Sequence, residues 1–145
     1  MNWKMPALVS LVLFAFAACG NKGERVFGVI ELVDQVTADE SAWTGKTVSV
    51  SGHVSVTSNA NDPSAFVDLR NDRNTPIERH VICKIAAGAL PEGVAGKTIV
   101  VKGTVGKVYR QSYLDLRNVT LDPCEISKQS VETAIGSGVG TTRPV

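Results

Sequence analysis

Aromatic residues are scarce in this chain, at 6% of 145, and histidine occurs only as His53 and His80. So few rings leave no dense track on which successive bases could stack. The two histidines have no metal-ligand spacing to the cysteines, and a zinc site takes three or four ligands. No metal and no cofactor are expected. Cys-x-x-Cys is missing, which removes a thioredoxin-like redox role. No G-x-S-x-G elbow or readable Ser–His–Asp arrangement occurs, and no enzymatic activity is expected. A basic excess is also lacking, with 15 Lys and Arg against 14 Asp and Glu. Nucleic-acid binders normally show a basic stripe, so nucleic acid is not the expected partner. The longest apolar run, from Met5 to Phe16, falls short of the ~20 residues that span a bilayer as a helix.

That run reads instead as part of a signal peptide over residues 1–18. Lys4 supplies the positive start, and Ala17-Ala18-Cys19-Gly20 supplies small residues ahead of a cysteine. Phe16-Ala17-Ala18-Cys19 resembles a bacterial lipobox. The resemblance implies cleavage before Cys19 and acyl chains, palmitate among them, on that cysteine. The partner at this end is then the membrane. Gly20 and Asn21 follow without an acidic residue, which favours the outer membrane, facing the periplasm, over the inner membrane. Removing residues 1–18 removes one lysine and no acid, leaving 14 charges of each sign. Residues 19–28 form the lipidated cysteine and a tether.

Cys83 and Cys124 remain. In an oxidising compartment a pair favours a disulfide over two free thiols. The bond closes a loop of roughly 40 residues, worth about 3–4 kcal/mol on the chain-entropy account.

The centre of the sequence is a stretch written twice. Gly45-Lys46-Thr47-Val48-Ser49-Val50-Ser51-Gly52-His53-Val54 returns as Gly96-Lys97-Thr98-Ile99-Val100-Val101-Lys102-Gly103-Thr104-Val105. Each copy is followed by an echo, Phe66-Val67-Asp68-Leu69-Arg70-Asn71 and Tyr113-Leu114-Asp115-Leu116-Arg117-Asn118. The Gly-Lys-Thr triplets are not P-loops. Glu40 and Pro91 stand where that motif needs glycine, and strands rather than helices follow.

Val29, Leu32, Val33 and Val36 recur at helical spacing, predicting a helix from about Val29 to Trp43 that stops at Gly45. Val48, Val50, Val54 and Val56 alternate with polar residues, the pattern of a half-buried strand. Gly52 and Gly103 in mid-strand mark bends. Thr57 to Ser64 is a polar loop. Further strands are predicted at Ala65–Asn71, with Val67 and Leu69 inward, and at His80–Ile85, with Val81, Cys83 and Ile85 on one face. Ala86 to Ala95 holds at most a short helical link. The fourth strand has Ile99, Val101 and Val105 inward, a loop spans 106–112, and the fifth strand runs from Tyr113 to Leu121. Residues 127–145, rich in Gly, Ser and Thr, predict a disordered tail. Five strands in this order predict an all-β, five-stranded OB-fold Greek-key barrel over residues 29–126.

Residues Glu31 to Ile126 resemble the tRNA_anti-like OB-fold family of bacterial lipoproteins. The resemblance rests on Ala38 through Lys46 leading into Val48-x-Val50-x-Gly52-x-Val54, on Val81-x-Cys83, on the second Gly96-Lys97 copy, and on Leu116-Arg117-Asn118 running to Cys124. It implies the fold and no catalytic residues. OB barrels bind on the face of their second and third strands. That predicts a face of Phe66, Asp68, Arg70, His80 and Lys84, with Asn59, Asn61, Tyr109, Arg110 and Tyr113 at its rim. Asp68 and Asp115 hold equivalent positions, each two residues from an arginine, Arg70 or Arg117. Paired carboxylates could do acid–base work, but a cross-strand lattice of surface ion pairs is expected instead. The function expected is a lipid-anchored binding or interaction module of the bacterial envelope, for an envelope protein or a small ligand. A single-strand-binding OB module and a structural accessory of an envelope complex are the alternatives.

Overall fold

The computed structural model describes residues 24–59, 62–74, 78–128, 130 and 133. The signal peptide and Cys19 lie outside the described residues, as does most of the tail. The elements are β1 (Val26–Gly28), α1 (Val29–Ala38), α2 (Glu40–Trp43), β2 (Thr47–Thr57), β3 (Phe66–Arg70), β4 (Arg79–Lys84), β5 (Thr98–Gln111), a 3₁₀ turn at Ser112–Leu114, and β6 (Leu116–Ile126). Strands lie in the order β1-β2-β3-β4-β6-β5, and β2 pairs with β5 to close the barrel. β4 and β6 run parallel, and the other barrel pairs are antiparallel. This is the five-stranded OB barrel, with β1 added on the edge of β2.

The repeat explains the closure. Its two copies lie antiparallel side by side, from Thr47 opposite Thr104 to His53 opposite Thr98. Each Gly-Lys turn is bonded to the last valine of the other copy. Gly45 N donates to Val105 O at 2.8 Å, and Val105 N donates to Lys46 O at 2.9 Å. In the mirror arrangement, Gly96 N donates to Val54 O at 3.0 Å and Val54 N to Lys97 O at 2.8 Å. Gly45 and Gly96 have φ of 83° and 74°, the left-handed region that favours glycine. The glycine thus turns the chain, and the lysine and valine stitch the seam.

The alternating residues fill the interior. Val48, Val50 and Val54 of β2, Val67 and Leu69 of β3, Val81 and Cys83 of β4, and Ile99, Val101 and Val105 of β5 are buried together. Val56 departs from its expected inward position and is 47% exposed. A register shift between Val54 and Val56 turns it outward, since one extra residue reverses the facing of a strand. Gly103 sits at a second register shift, as a bend requires. At Gly52 the reason is close approach. A Cβ there would lie 2.8 Å from Val29 Cγ2 and 3.0 Å from Leu69 Cβ.

α1 plugs one end of the barrel, and its Val29, Leu32, Val33 and Val36 stripe is fully buried. The expected single helix is two. Asp39 leaves helical geometry at φ −147°, and its side chain accepts a bond from Ala42 N to cap α2. Trp43 packs on the domain edge-to-face with Phe27, their ring centroids 5.6 Å apart. The segment expected to be tether includes β1, three residues that pair in parallel with Ser49–Ser51. The connection between β4 and β5 is a run of turns, where a helical link was expected, with Ala89 N bonded to Ala86 O. The helix that fills the barrel end comes from the front of the domain. β5 continues through the expected loop to Gln111, and β6 begins at Leu116.

Cys83 and Cys124 are bonded, tying β4 to the end of β6. Beyond β6, Lys128, Ser130 and Thr133 are helical. Val100 N donates to Ser130 Oγ, and Ser127 N donates to Val100 O. The chain therefore stays attached to β5 past residue 127, the expected start of the disordered tail. Residues 134–145 lie outside the described ones.

Candidate ligand face

Strand pairing assembles the outer face row by row. Arg70 lies opposite His53, and the Leu69–Val81 register sets it beside His80. His80 is level with Asn118, and Asn118 with Tyr109. One row across the barrel is therefore Arg70, His80, Asn118 and Tyr109. The next row holds Asp68, Ile82 and Thr120, and the third pairs Phe66 with Lys84. These residues alternate with the buried Val67, Leu69, Val81 and Val119. They point outward by the period of the strand.

The two rows lock at one contact. His80 Nδ1 lies 2.8 Å from Asp68 Oδ1, and both side chains are only 12% exposed. They are shielded from water although they sit on the outside of the barrel. Asp68, expected in a cross-strand lattice of ion pairs, pairs with His80 on the neighbouring strand, diagonal to its register partner Ile82. His80 Nε2 and Arg70 Nε are buried without a hydrogen-bond partner. Ser55 Oγ donates to the Asp68 carbonyl, so the strand below the pair is held as well.

The rim differs from expectation at one residue. Arg110 turns away from the face to the helical end of the barrel. Its guanidinium bonds Glu40 at 2.9 Å and donates to Thr37 O at 3.0 Å. The alternation that puts Tyr109 outward puts Arg110 on the side of α1. Tyr109 is 52% exposed and Tyr113, in the 3₁₀ turn, 80%. Lys84 is exposed, with its ammonium 3.8 Å from Asp122. Asn59 stands at the base of the β2–β3 loop, which closes where Phe66 N donates to Ser58 Oγ. Asn61 lies outside the described residues.

The two echo segments do different things. Asp68 is in mid-strand, whereas Asp115 occupies a left-handed turn at φ 47°. Arg117 pairs with Asp115 at 3.0 Å. Arg79, not singled out in the sequence, adds a second cation. It bonds Asp34 of α1 and both the carbonyl and the carboxylate of Asp115. The Arg79 bond holds the Asp115 carboxyl below its ordinary range. Burial works against the charge on Arg79, but its bonds to Asp34 and Asp115 outweigh this and raise its pKa. This network fixes the β5–β6 turn at one end of the face. Asn118 was also missed. It is buried at the centre of the row, and its only signal was membership of the second echo.

The Gly-Lys-Thr turns lead into β2 and β5, which is not the geometry of a phosphate-binding loop. Among the described residues, no group of three His, Cys, Asp or Glu is placed to hold a metal ion. Among the described residues, no helix is long and apolar enough to cross a membrane.

No known family and no curated protein matches the chain in sequence. Solved structures do resemble it. A provisionally assigned nucleic acid-binding lipoprotein from Klebsiella pneumoniae subsp. pneumoniae MGH 78578 superposes with a TM-score of 0.51 at 16% identity, over 72% of this chain and 92% of that one. A provisionally assigned aspartyl-tRNA synthetase from Leishmania major Friedlin gives 0.42 at 18% identity, over 75% of this chain. The aspartyl-tRNA synthetase from Entamoeba histolytica gives 0.42 at 17%, over 87% of this chain. The chain spans only 22% and 27% of the two synthetases. What it has in common with the Klebsiella protein, over nearly all of that protein's length, is a small OB barrel.

Proposed function

We propose that this chain is a binding module of the bacterial cell envelope, held to the membrane by lipid on Cys19 and working without catalysis. Its ligand lies across β3, β4 and β6, over the row from Arg70 to Tyr109. The observation that carries this reading is the Asp68–His80 pair on the outer surface of the barrel. Burying a carboxylate and an imidazole costs free energy that a stabilising surface does not require. The pair is held at 2.8 Å and shielded from water on a face where OB barrels bind their ligands. Tyr109 and Phe66 flank the pair with flat apolar area, and Arg70 and Lys84 supply charge. An envelope protein segment or a small polar ligand fits such a face. The lipobox at Phe16–Cys19 and the lipoprotein description of the Klebsiella structure support the anchor, and Gly20-Asn21, without an acidic residue, favours the outer membrane facing the periplasm. The likeness to tRNA_anti-like lipoproteins rests on the residues quoted above and on the shared fold.

A second reading is favoured by one finding, the nucleic-acid description of that same Klebsiella protein. Under it, Phe66 and Tyr109 stack bases and Arg70 meets phosphate. One titration separates the two. NMR shifts of the unlipidated chain from residue 21 onward are followed with single-stranded oligonucleotides and with envelope glycan and peptide fragments. Shifts at His80, Asn118 and Tyr109 on adding a glycan or peptide, lost in His80→Ala, support the main reading. Oligonucleotide binding that weakens steeply with salt supports the second. Shifts elsewhere on the barrel refute this face. For the anchor, Cys19→Ala is expected to leave the protein unlipidated in its own membranes. Normal acylation of that variant refutes it.

A further inference from the structure

An apolar groove of about 780 Å³ opens on the barrel wall and shares no residue with the ligand face. Ile85, Ala89 and Pro91 line one side, and Thr104, Pro123 and Ile126 the other. Its volume is in the range of sites that enclose a small molecule, about 300–1,000 Å³. Few polar groups face into it, which suits a hydrocarbon better than a polar ligand. Lys102, Glu125 and Lys128 are the charged residues of its lining.

The N-terminal approach of the chain lies at this groove. The Glu24 carboxylate bonds Lys102 Nζ at 3.0 Å. That bond lowers the Glu24 carboxyl below its ordinary range. From Glu24 back to Cys19 is a span of at most about 18 Å even when fully extended. A chain carried on Cys19 therefore starts within reach of the groove mouth.

We propose that the groove receives an acyl chain attached to Cys19 of the same molecule, an inference that rests on the lipid-anchor reading. Methylenes exposed to water are unfavourable, and the groove walls replace that water when the protein is outside the bilayer. At the membrane the chain leaves the groove for the bilayer.

The test uses the full chain made in cells fed a diazirine-bearing fatty acid. The protein is extracted in mild detergent, freed of detergent, irradiated, digested and read by mass spectrometry. The expected result is label on Cys19 and photolinks from it to peptides covering 85–91, 102–104 and 123–128 of the same copy. Ala89→Arg, which puts a charge into the groove from an exposed turn, should keep the Cys19 label and lose those links. Label on Cys19 with links only outside the groove, only to residues 134–145, or only between copies overturns the proposal and leaves the anchor standing. No label on Cys19 overturns the anchor reading itself, and the groove assignment with it.

Discussion

The two copies of the repeat have one backbone and different surroundings. Gly45 and Gly96 turn alike, and each copy bonds the other through the same pair of positions. What packs on them differs. Gly52 of the first copy faces Val29 of α1 and Leu69 of β3. Gly103 of the second faces Leu121, Pro123 and Cys124 of β6. β1 runs along the first copy and has no counterpart on the second among the described residues. Local sequence thus sets the turn and the pairing, and the segments outside the repeat decide what each copy supports. The first copy seats the helical plug. The second seats the disulfide hairpin and the start of the C-terminal helix.

Breaking that asymmetry should begin at the disulfide, whose Cys124 lies against Gly103 of the second copy. Cys83→Ser and Cys124→Ser are expected to cost about 2–5 kcal/mol each, and equally, since either removes the same bond. Chemical denaturation with and without reductant checks this, and a midpoint insensitive to reductant would contradict it. The mid-strand glycines come next. Gly103→Ala places a Cβ 2.9 Å from the carbonyl oxygen of Pro123, where backbone must yield. Gly52→Ala meets Val29 Cγ2 at 2.8 Å first, and its nearest backbone atom, the Arg70 carbonyl oxygen, lies farther off at 3.1 Å. Overpacking costs about 1–3 kcal/mol, with Gly103→Ala expected at the upper end and Gly52→Ala at the lower. Equal losses would mean that β6 yields as readily as α1.

A smaller effect sharpens the symmetric part. Nothing lies within 4 Å of a Cβ added at Gly45 or Gly96, so alanine there pays only for left-handed backbone. Each substitution should cost about 1 kcal/mol, with matching changes in unfolding midpoint. The smallest effect concerns Asp115, whose carboxyl is held low by Arg79 and then Arg117. A depressed carboxyl contributes stability above its unfolded pKa, near 3.9, and loses it as pH falls through the lower folded value. Asp115→Asn should therefore lower stability slightly at neutral pH, leave it nearly unchanged at the lowest pH, and so flatten the acid limb of the stability curve. Asp68→Asn provides the comparison in the first echo, and NMR titration of His80 reports whether the imidazole follows its partner.

Much of the barrel could be read from alternation. Val48, Val50, Val67, Leu69, Val81, Ile99 and Val101 face inward because strands alternate and the apolar set must leave water. The misses fall where a neighbour decides. Val56 looks inward by parity, and a single inserted residue in the pairing turns it out. β1 is three residues long and has no pattern of its own; it exists because the edge of β2 needs partners for its backbone. In the ligand face, Phe66, Asp68, Arg70, His80, Lys84 and Tyr109 were legible as outward positions. The Asp68–His80 contact, the loss of Arg110 to Glu40, and the place of Asn118 were not, since each depends on which strand lies next to which.

The sequence by itself determined the repeated turns, the inward and outward faces and the five-strand order. These follow from φ preferences, strand period and burial of apolar side chains, all local to a few residues. Only the tertiary structure decided that the two copies pair with each other, that α1 fills the barrel end, and that His80 reaches Asp68. Those contacts join residues far apart in the chain, and their geometry is set by the closure of the barrel.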